Sequence, residues 1–146
     1  IGFMASGKST LGAADAARDG YKFTDLDQKL WDNTGIPPWQ YITEKGEEAF
    51  RIAERDILHW IVEEWHREGQ PPQLVACGGG TPCAFDNMEF MKSNGQVIFI
   101  DTPLSTILER IRNNPHRWPL AGISNLESLY LERRKWYEKA HERKVP

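Results

Sequence analysis

The sequence predicts an α/β fold in three layers, a central parallel sheet flanked by helices, and three observations carry that prediction. Gly2-Phe3-Met4-Ala5-Ser6-Gly7-Lys8-Ser9 matches the pattern G-x-x-x-x-G-K-[ST] and leads directly into an Ala-rich helical stretch. Two apolar runs, Leu74-Val75-Ala76-Cys77 and Val97-Ile98-Phe99-Ile100, read as strands buried on both faces. Strand patterns alternate with helical patterns along the chain, as in a parallel sheet covered on both sides. With the glycine loop in place, the expected class is the three-layer P-loop NTPase fold.

The elements follow in order. Ser9 to Arg18 is the first helix, ended by Gly20. Tyr21-Lys22-Phe23-Thr24 alternates apolar and polar and reads as a short strand running into Asp25-Leu26-Asp27. Gln28 to Asn33 is helical, closed by the breaker cluster Thr34-Gly35-Ile36-Pro37-Pro38. A long helix begins after Gly46, with Glu47 and Glu48 at its positive end and an apolar stripe of Phe50, Ala53, Ile57, Ile61 and Trp65. Gly69-Gln70-Pro71-Pro72-Gln73 stops it before the Leu74–Cys77 strand. Further helices are expected over Phe85–Ser93, Leu104–Arg112 and Leu126–His141, with Asn113-Asn114-Pro115 breaking the second of these. A last strand and helix expected of the fold are not legible after His141, and only Ile1 stands before the glycine loop. No repeat or low-complexity run divides the chain, so a single domain over residues 1–146 is expected.

Composition narrows the function classes. A hydrophobic fraction of 40% and a charged fraction of 27% are those of an ordinary globular protein. A net charge of −3 gives no reason to expect a nucleic-acid or membrane partner. No apolar run approaches the roughly 20 residues of a membrane helix. A monomer in the cytoplasm is the expectation. Cys77 and Cys83 match no zinc or redox spacing and are expected to be reduced, partly buried thiols.

The chemistry starts at the loop. Its glycines let the backbone curl so that amide N–H groups converge on one concavity, which with the following helix N-terminus holds phosphate oxygens. Met4, Ala5, Ser6, Gly7, Lys8, Ser9 and Thr10 are the candidate nucleotide-binding residues. Lys8 supplies a mobile positive charge to the β- and γ-phosphates, and the Ser9 hydroxyl is a hard oxygen donor suited to Mg²⁺. This motif predicts binding of a nucleoside triphosphate and leaves the acceptor open.

Acceptor candidates lie downstream. Asp25 and Asp27, on an extended segment, would point the same way at a strand end facing the ligand crevice. One carboxylate can serve a Mg²⁺ shell while the other receives an acceptor hydroxyl. In Phe50-Arg51-Ile52-Ala53-Glu54, Arg51 and Glu54 occupy neighbouring positions of one helix and can pair. Gly78-Gly79-Gly80 follows a buried strand and lets backbone approach a ligand closely. Arg133 lies one helical turn before Tyr137.

In this order the pieces resemble the shikimate kinase family: Gly2–Thr10, Asp25–Asp27, Phe50–Glu54, Gly78–Gly80, Arg117–Leu120 and Arg133–Tyr137, with Gly80-Thr81-Pro82-Cys83 and Asp86-Asn87-Met88-Glu89 also family-like. The resemblance covers nearly the whole chain. It implies a fold with a mobile lid, here at about 113–125, and a shikimate-binding region at about 25–60. It implies transfer of the ATP γ-phosphate to shikimate with Mg²⁺ as cofactor. Asp27 would bind the reacting hydroxyl and act as base, and Asp25 would hold Mg²⁺ with Ser9. Arg51 and Arg133 would clamp the substrate carboxylate, with Glu54 orienting Arg51, and Gly79 and Gly80 would offer backbone. Arg117 would swing in from the lid onto the transferred phosphoryl group. Arg110 would pack on adenine, with Arg112 as the competing choice.

Three features depart from the family pattern. Ala5 stands where glycine is usual, Trp118 separates Arg117 from Pro119, and the segment from Gly122 to Arg133 is short. A gluconate-type or other small-molecule kinase, or a nucleotide-binding homologue without catalysis, remains the alternative.

Overall fold

A computed structural model describes residues 1–114 and 125–146. The chain forms two compact units, Lys8–Cys77 and Ile1–Gly7 with Gly78–Pro146.

In the Lys8–Cys77 unit, α1 (Lys8–Asp19), β1 (Lys22–Asp25), α2 (Leu26–Thr34), α3 (Pro38–Lys45), α4 (Glu47–Arg67) and β2 (Gln73–Ala76) follow in order. The two strands pair in parallel, Lys22 opposite Gln73 and Asp25 opposite Ala76. Helix α1 lies close on them because Gly12 has no side chain. A Cβ there would stand 2.9 Å from the Phe23 ring and 3.0 Å from Leu74 Cδ2.

Three readings change in this unit. The strand stops at Asp25 instead of continuing through Asp27, because the Asp25 carboxylate accepts from the amides of Asp27 and Gln28 at 3.0 and 3.3 Å and caps α2. Asp25 and Asp27 therefore are not alternate residues of one extended segment. Helix α3 starts at the last residue of the breaker cluster and runs through a stretch the sequence left unassigned. Pro38 suits a first helical turn, where its missing N–H costs nothing. In α4 the fully buried row is Phe50, Glu54, Leu58 and Ile61, so the stripe is displaced from Ala53 and Ile57. An apolar pattern passes over Glu54, yet this carboxylate is fully buried against Arg51. Gly69 and Gln70, both left-handed at φ 79° and 60°, turn the chain out of α4.

The other unit holds a 3₁₀ turn (Thr81–Cys83), α5 (Asn87–Asn94), β3 (Ile98–Ile100), α6 (Leu104–Asn113), α7 (Leu126–Tyr137) and β4 (Glu142–Lys144). Its core gathers Phe3, Phe99, Ile107, Ile111, Tyr130 and Tyr137. The predicted helix to His141 ends at Tyr137, and the strand missed at the C-terminal end is β4, parallel to β3 with Ile98 opposite Glu142. Glu142-Arg143-Lys144 carries no apolar signal, so only backbone pairing reveals it. Ile1 flanks β3 as well: its backbone nitrogen donates to Ile98 O at 2.8 Å, and Ile100 N donates to Ile1 O at 2.9 Å. The glycine loop thus starts beside β3.

Asp101, just past β3 and 5% exposed, accepts both terminal nitrogens of Arg134 at 2.7 and 2.9 Å. It also pairs with Arg143. Hydrogen bonds from Arg134 hold the Asp101 carboxyl below the usual range, against the opposing effect of burial. That contribution is present above the ordinary carboxylate pKa and is lost as pH falls through the depressed one. Arg134→Ala leaves the carboxylate with only the exposed Arg143 and is expected to destabilise the protein by about 3 kcal/mol, read by urea denaturation at pH 7.

Candidate active site

In the Ile1–Gly7 and Gly78–Pro146 unit the glycine loop leaves Ile1 at Gly2, whose φ is 150° and whose position admits no Cβ. One would stand 2.7 Å from Ile100 O. Phe3 to Ser6 form a turn closed by Ser6 N donating to Phe3 O at 3.2 Å. Ala5 is its third residue, with φ 58°. That is the left-handed position type II turns reserve for glycine. An alanine there carries about 1–2 kcal/mol of backbone strain, so the departure noted in the sequence falls where it matters. The loop carbonyls are held by neighbours. Arg110 Nη1 donates to Ala5 O at 2.9 Å, and Thr102 Oγ1 donates to Ser6 O at 2.7 Å.

The same unit carries Gly79, Gly80 and Arg133. A Cβ at Gly79 would meet Met4 N at 3.2 Å and Arg133 Nη1 at 3.4 Å, so a side chain would intrude on both. Gly79 O accepts from the fully buried Tyr137 hydroxyl at 2.6 Å. Gly80 precedes the Thr81–Cys83 turn with φ −95°, a conformation open to any residue. Arg133 stands over the Phe3 ring at 5.9 Å, and no carboxylate among the described residues pairs with it. Its neighbour Arg134 is engaged by Asp101, Tyr130 and Glu138. Two adjacent arginines are thereby sorted into a structural one and one available to a ligand.

In the Lys8–Cys77 unit, Lys8, Ser9 and Thr10 open α1. Ser9 Oγ donates to Asp25 Oδ2. Asp27 is the second residue of α2 and half-buried. Burial, then the negative charges of Glu54 and Asp25, raise its pKa from the usual 3.8 to about 6, while Lys8 and Arg51 pull it back. Arg51 binds Glu54 at 2.7 Å and Glu47 at 3.3 Å. Burial opposes the Arg51 charge, but Glu54 and Glu47 outweigh it and hold the guanidinium protonated. Burial also pushes the Cys77 thiol up to about 11, so it is an inert thiol at neutral pH.

The structure thus brings Lys8, Ser9, Asp25, Asp27 and Arg51 into one charged cluster, and Gly79 and Arg133 into another. Arg110 meets the loop backbone, whereas its competitor Arg112 is exposed. Arg117, Trp118, Pro119, Leu120 and Gly122 lie outside the described residues. Three supporting residues went unassigned in the sequence. Tyr137 and the buried Asn87, which donates to Thr81 O at 2.9 Å, stood in family-like stretches without a role of their own, and Thr102 had no local signal.

An alcohol-phosphorylating chemistry needs a hard-oxygen pair and a carboxylate near a cation, and the Lys8–Cys77 unit holds both. Comparison with known proteins agrees. The family model for shikimate kinase matches residues 4–146. A shikimate kinase from Persephonella marina is 36% identical over 142 residues, 96% of this chain and 82% of that protein. One from Aquifex aeolicus is 34% identical over 96% of this chain and 80% of that one. The crystal structure of the Bacteroides thetaiotaomicron shikimate kinase superposes with a TM-score of 0.84 at 29% identity, over 98% of this chain and 82% of that one. The Acinetobacter baumannii shikimate kinase, solved in complex with shikimate, gives 0.82 at 30% identity, over 98% and 79%. These likenesses bear out the predicted P-loop kinase fold class, and the chain belongs to the shikimate kinase family.

Proposed function

We propose that this chain transfers the γ-phosphate of ATP to the 3-hydroxyl of shikimate, giving ADP and 3-phosphoshikimate, as one kinase domain over residues 1–146. The observation that carries the reading is Asp27, a carboxylate raised to about 6 beside Lys8 and the Ser9–Asp25 pair. A carboxyl tuned toward neutrality can accept a hydroxyl proton and is still ionised at pH 7.

Met4 to Thr10 surround the phosphates with amide donors, and Lys8 offsets charge on the transferred group. Asp27 receives the 3-hydroxyl and takes its proton as the oxygen bonds to phosphorus, while the ADP oxygen departs. Arg51, held by Glu54, and Arg133 bind the shikimate carboxylate, a planar anion matched by the guanidinium fork. Gly79 and Gly80 present backbone to the substrate. Arg110 serves the nucleotide, and Arg117, outside the described residues, is assigned to the transferred phosphoryl group.

Ser9 and Asp25 fit Mg²⁺. A hydroxyl and a carboxylate already in contact are hard oxygens, and this ion takes few protein ligands beside phosphates and water. When bound, the ion neutralises phosphate charge.

No helix among the described residues is long and apolar enough to cross a membrane, and a cytoplasmic monomer is part of this proposal.

The test is ADP release with shikimate, with gluconate and with no acceptor. Shikimate-dependent release is the expected outcome. Equal release with gluconate would reassign the acceptor, and nucleotide binding without any acceptor-dependent release would leave a non-catalytic homologue.

A further inference from the structure

We infer that Arg110 is a positioning residue for the phosphate loop: it holds the Ala5 carbonyl outward and so keeps a strained alanine turn in its phosphate-binding shape. This rests on the kinase reading only in taking phosphate as the loop's ligand.

Ala5 sits at φ 58° where a glycine would be unstrained. The chain can relieve that strain by rotating the peptide planes on either side of Ala5, and such a rotation swings the Ala5 carbonyl. In a trans peptide the C=O and the next N–H point opposite ways. A carbonyl turned into the concavity would set a partial negative charge against the phosphates and displace an amide donor. The hydrogen bond from Arg110 Nη1 to Ala5 O opposes that rotation. Thr102 secures the next carbonyl, Ser6 O, in the same manner, with both residues buried.

The anchor is itself fixed. Arg110 lies on α6 between Ile107, fully buried, and Ile111, 9% exposed, which belong to the core. Among the described residues no carboxylate pairs with Arg110, so its charge stays available to strengthen the bond to the carbonyl. A glycine at this loop position would lack the strain and need the restraint less. The role is tied to the alanine of this chain.

Calorimetric binding of ATP and of inorganic tripolyphosphate, both without acceptor, tests this in Arg110→Met, Ala5→Gly and the double variant. Arg110→Met is expected to weaken both ligands by about tenfold, the scale of one charge-assisted hydrogen bond. In the Ala5→Gly background the same change is expected to cost less than about threefold, the difference being the coupling of the pair. If Arg110→Met does not fold, Arg110→Lys takes its place, with a smaller loss that Ala5→Gly still reduces. Weakened ATP with unchanged tripolyphosphate would place Arg110 on the base instead and overturn the inference. Equal losses with and without the Ala5→Gly change would overturn it too. Because no acceptor is present, failure of the shikimate assay leaves this test intact.

Discussion

Asp27→Asn is expected to lower kcat by about a thousandfold and at the same time to make the folded protein more stable at pH 7. The rate loss follows from removing the group that receives the hydroxyl proton, within the roughly hundred- to ten-thousandfold range of general-base contributions. The stability gain follows from electrostatics. Asp27 is raised from 3.8 to about 6, first by burial and then by Glu54 and Asp25. Between those values the folded protein keeps a proton that the unfolded chain releases, so stability falls as pH rises through that window and stays lower above it. At about 1.4 kcal/mol per tenfold, the penalty at pH 7 is on the order of 2–3 kcal/mol, which the neutral amide removes. Urea denaturation should show a gain of about 2 kcal/mol at pH 7 that shrinks toward zero near pH 4. A functional residue that destabilises its own fold is what a tuned active-site group looks like. A variant that lost stability at pH 7 would show Asp27 to be held by its neighbours rather than strained by them.

Arg133→Ala is expected to raise KM for shikimate by about a hundredfold, the scale of a lost bidentate carboxylate contact, and KM for ATP by less than about threefold. Arg133 is paired with no carboxylate among the described residues and stands 5.9 Å from the Phe3 ring. Its loss therefore removes only a weak ring contact from the fold, about 0.5–1 kcal/mol. Arg133→Lys should recover little, because an ammonium cannot reproduce the planar fork. Steady-state kinetics in both substrates reads the split. Equal increases in the two KM values would count against a carboxylate clamp. The contrast with Arg134→Ala is part of the prediction: one arginine acts on substrate binding, its neighbour on stability.

Much of this site was legible in the sequence because it is encoded locally. The glycine loop, Lys8 and Ser9 form one contiguous sequence motif. Arg51 and Glu54 lie one helical turn apart, so their pairing at 2.7 Å follows from helix geometry. Asp25 and Asp27 were identified as residues, but their backbone was not. Whether Asp25 continues a strand or caps a helix depends on two hydrogen bonds that pattern does not show. Glu54 escaped the core reading because a charge is skipped in an apolar stripe, although its partner makes full burial tolerable. The spacing from Tyr137 singled out Arg133, but no local signal showed that its neighbour Arg134 is a structural residue. Asp101, distant in sequence, makes it one by engaging Arg134. The Ala5 departure was visible, while its restraint by Arg110 was not, since the two are far apart in the chain.

The most direct measurement is the pH dependence of the rate with ATP and shikimate both far below saturation, which reports the free enzyme. Asp27 must be ionised to receive the hydroxyl, and its pKa is about 6. The rate should be level from pH 8 to 7 and fall toward tenfold per pH unit below about 6, and Asp27→Asn should remove that limb from its residual rate. A rate that stays level down to pH 5, or a limb that persists unchanged in Asp27→Asn, would contradict the account.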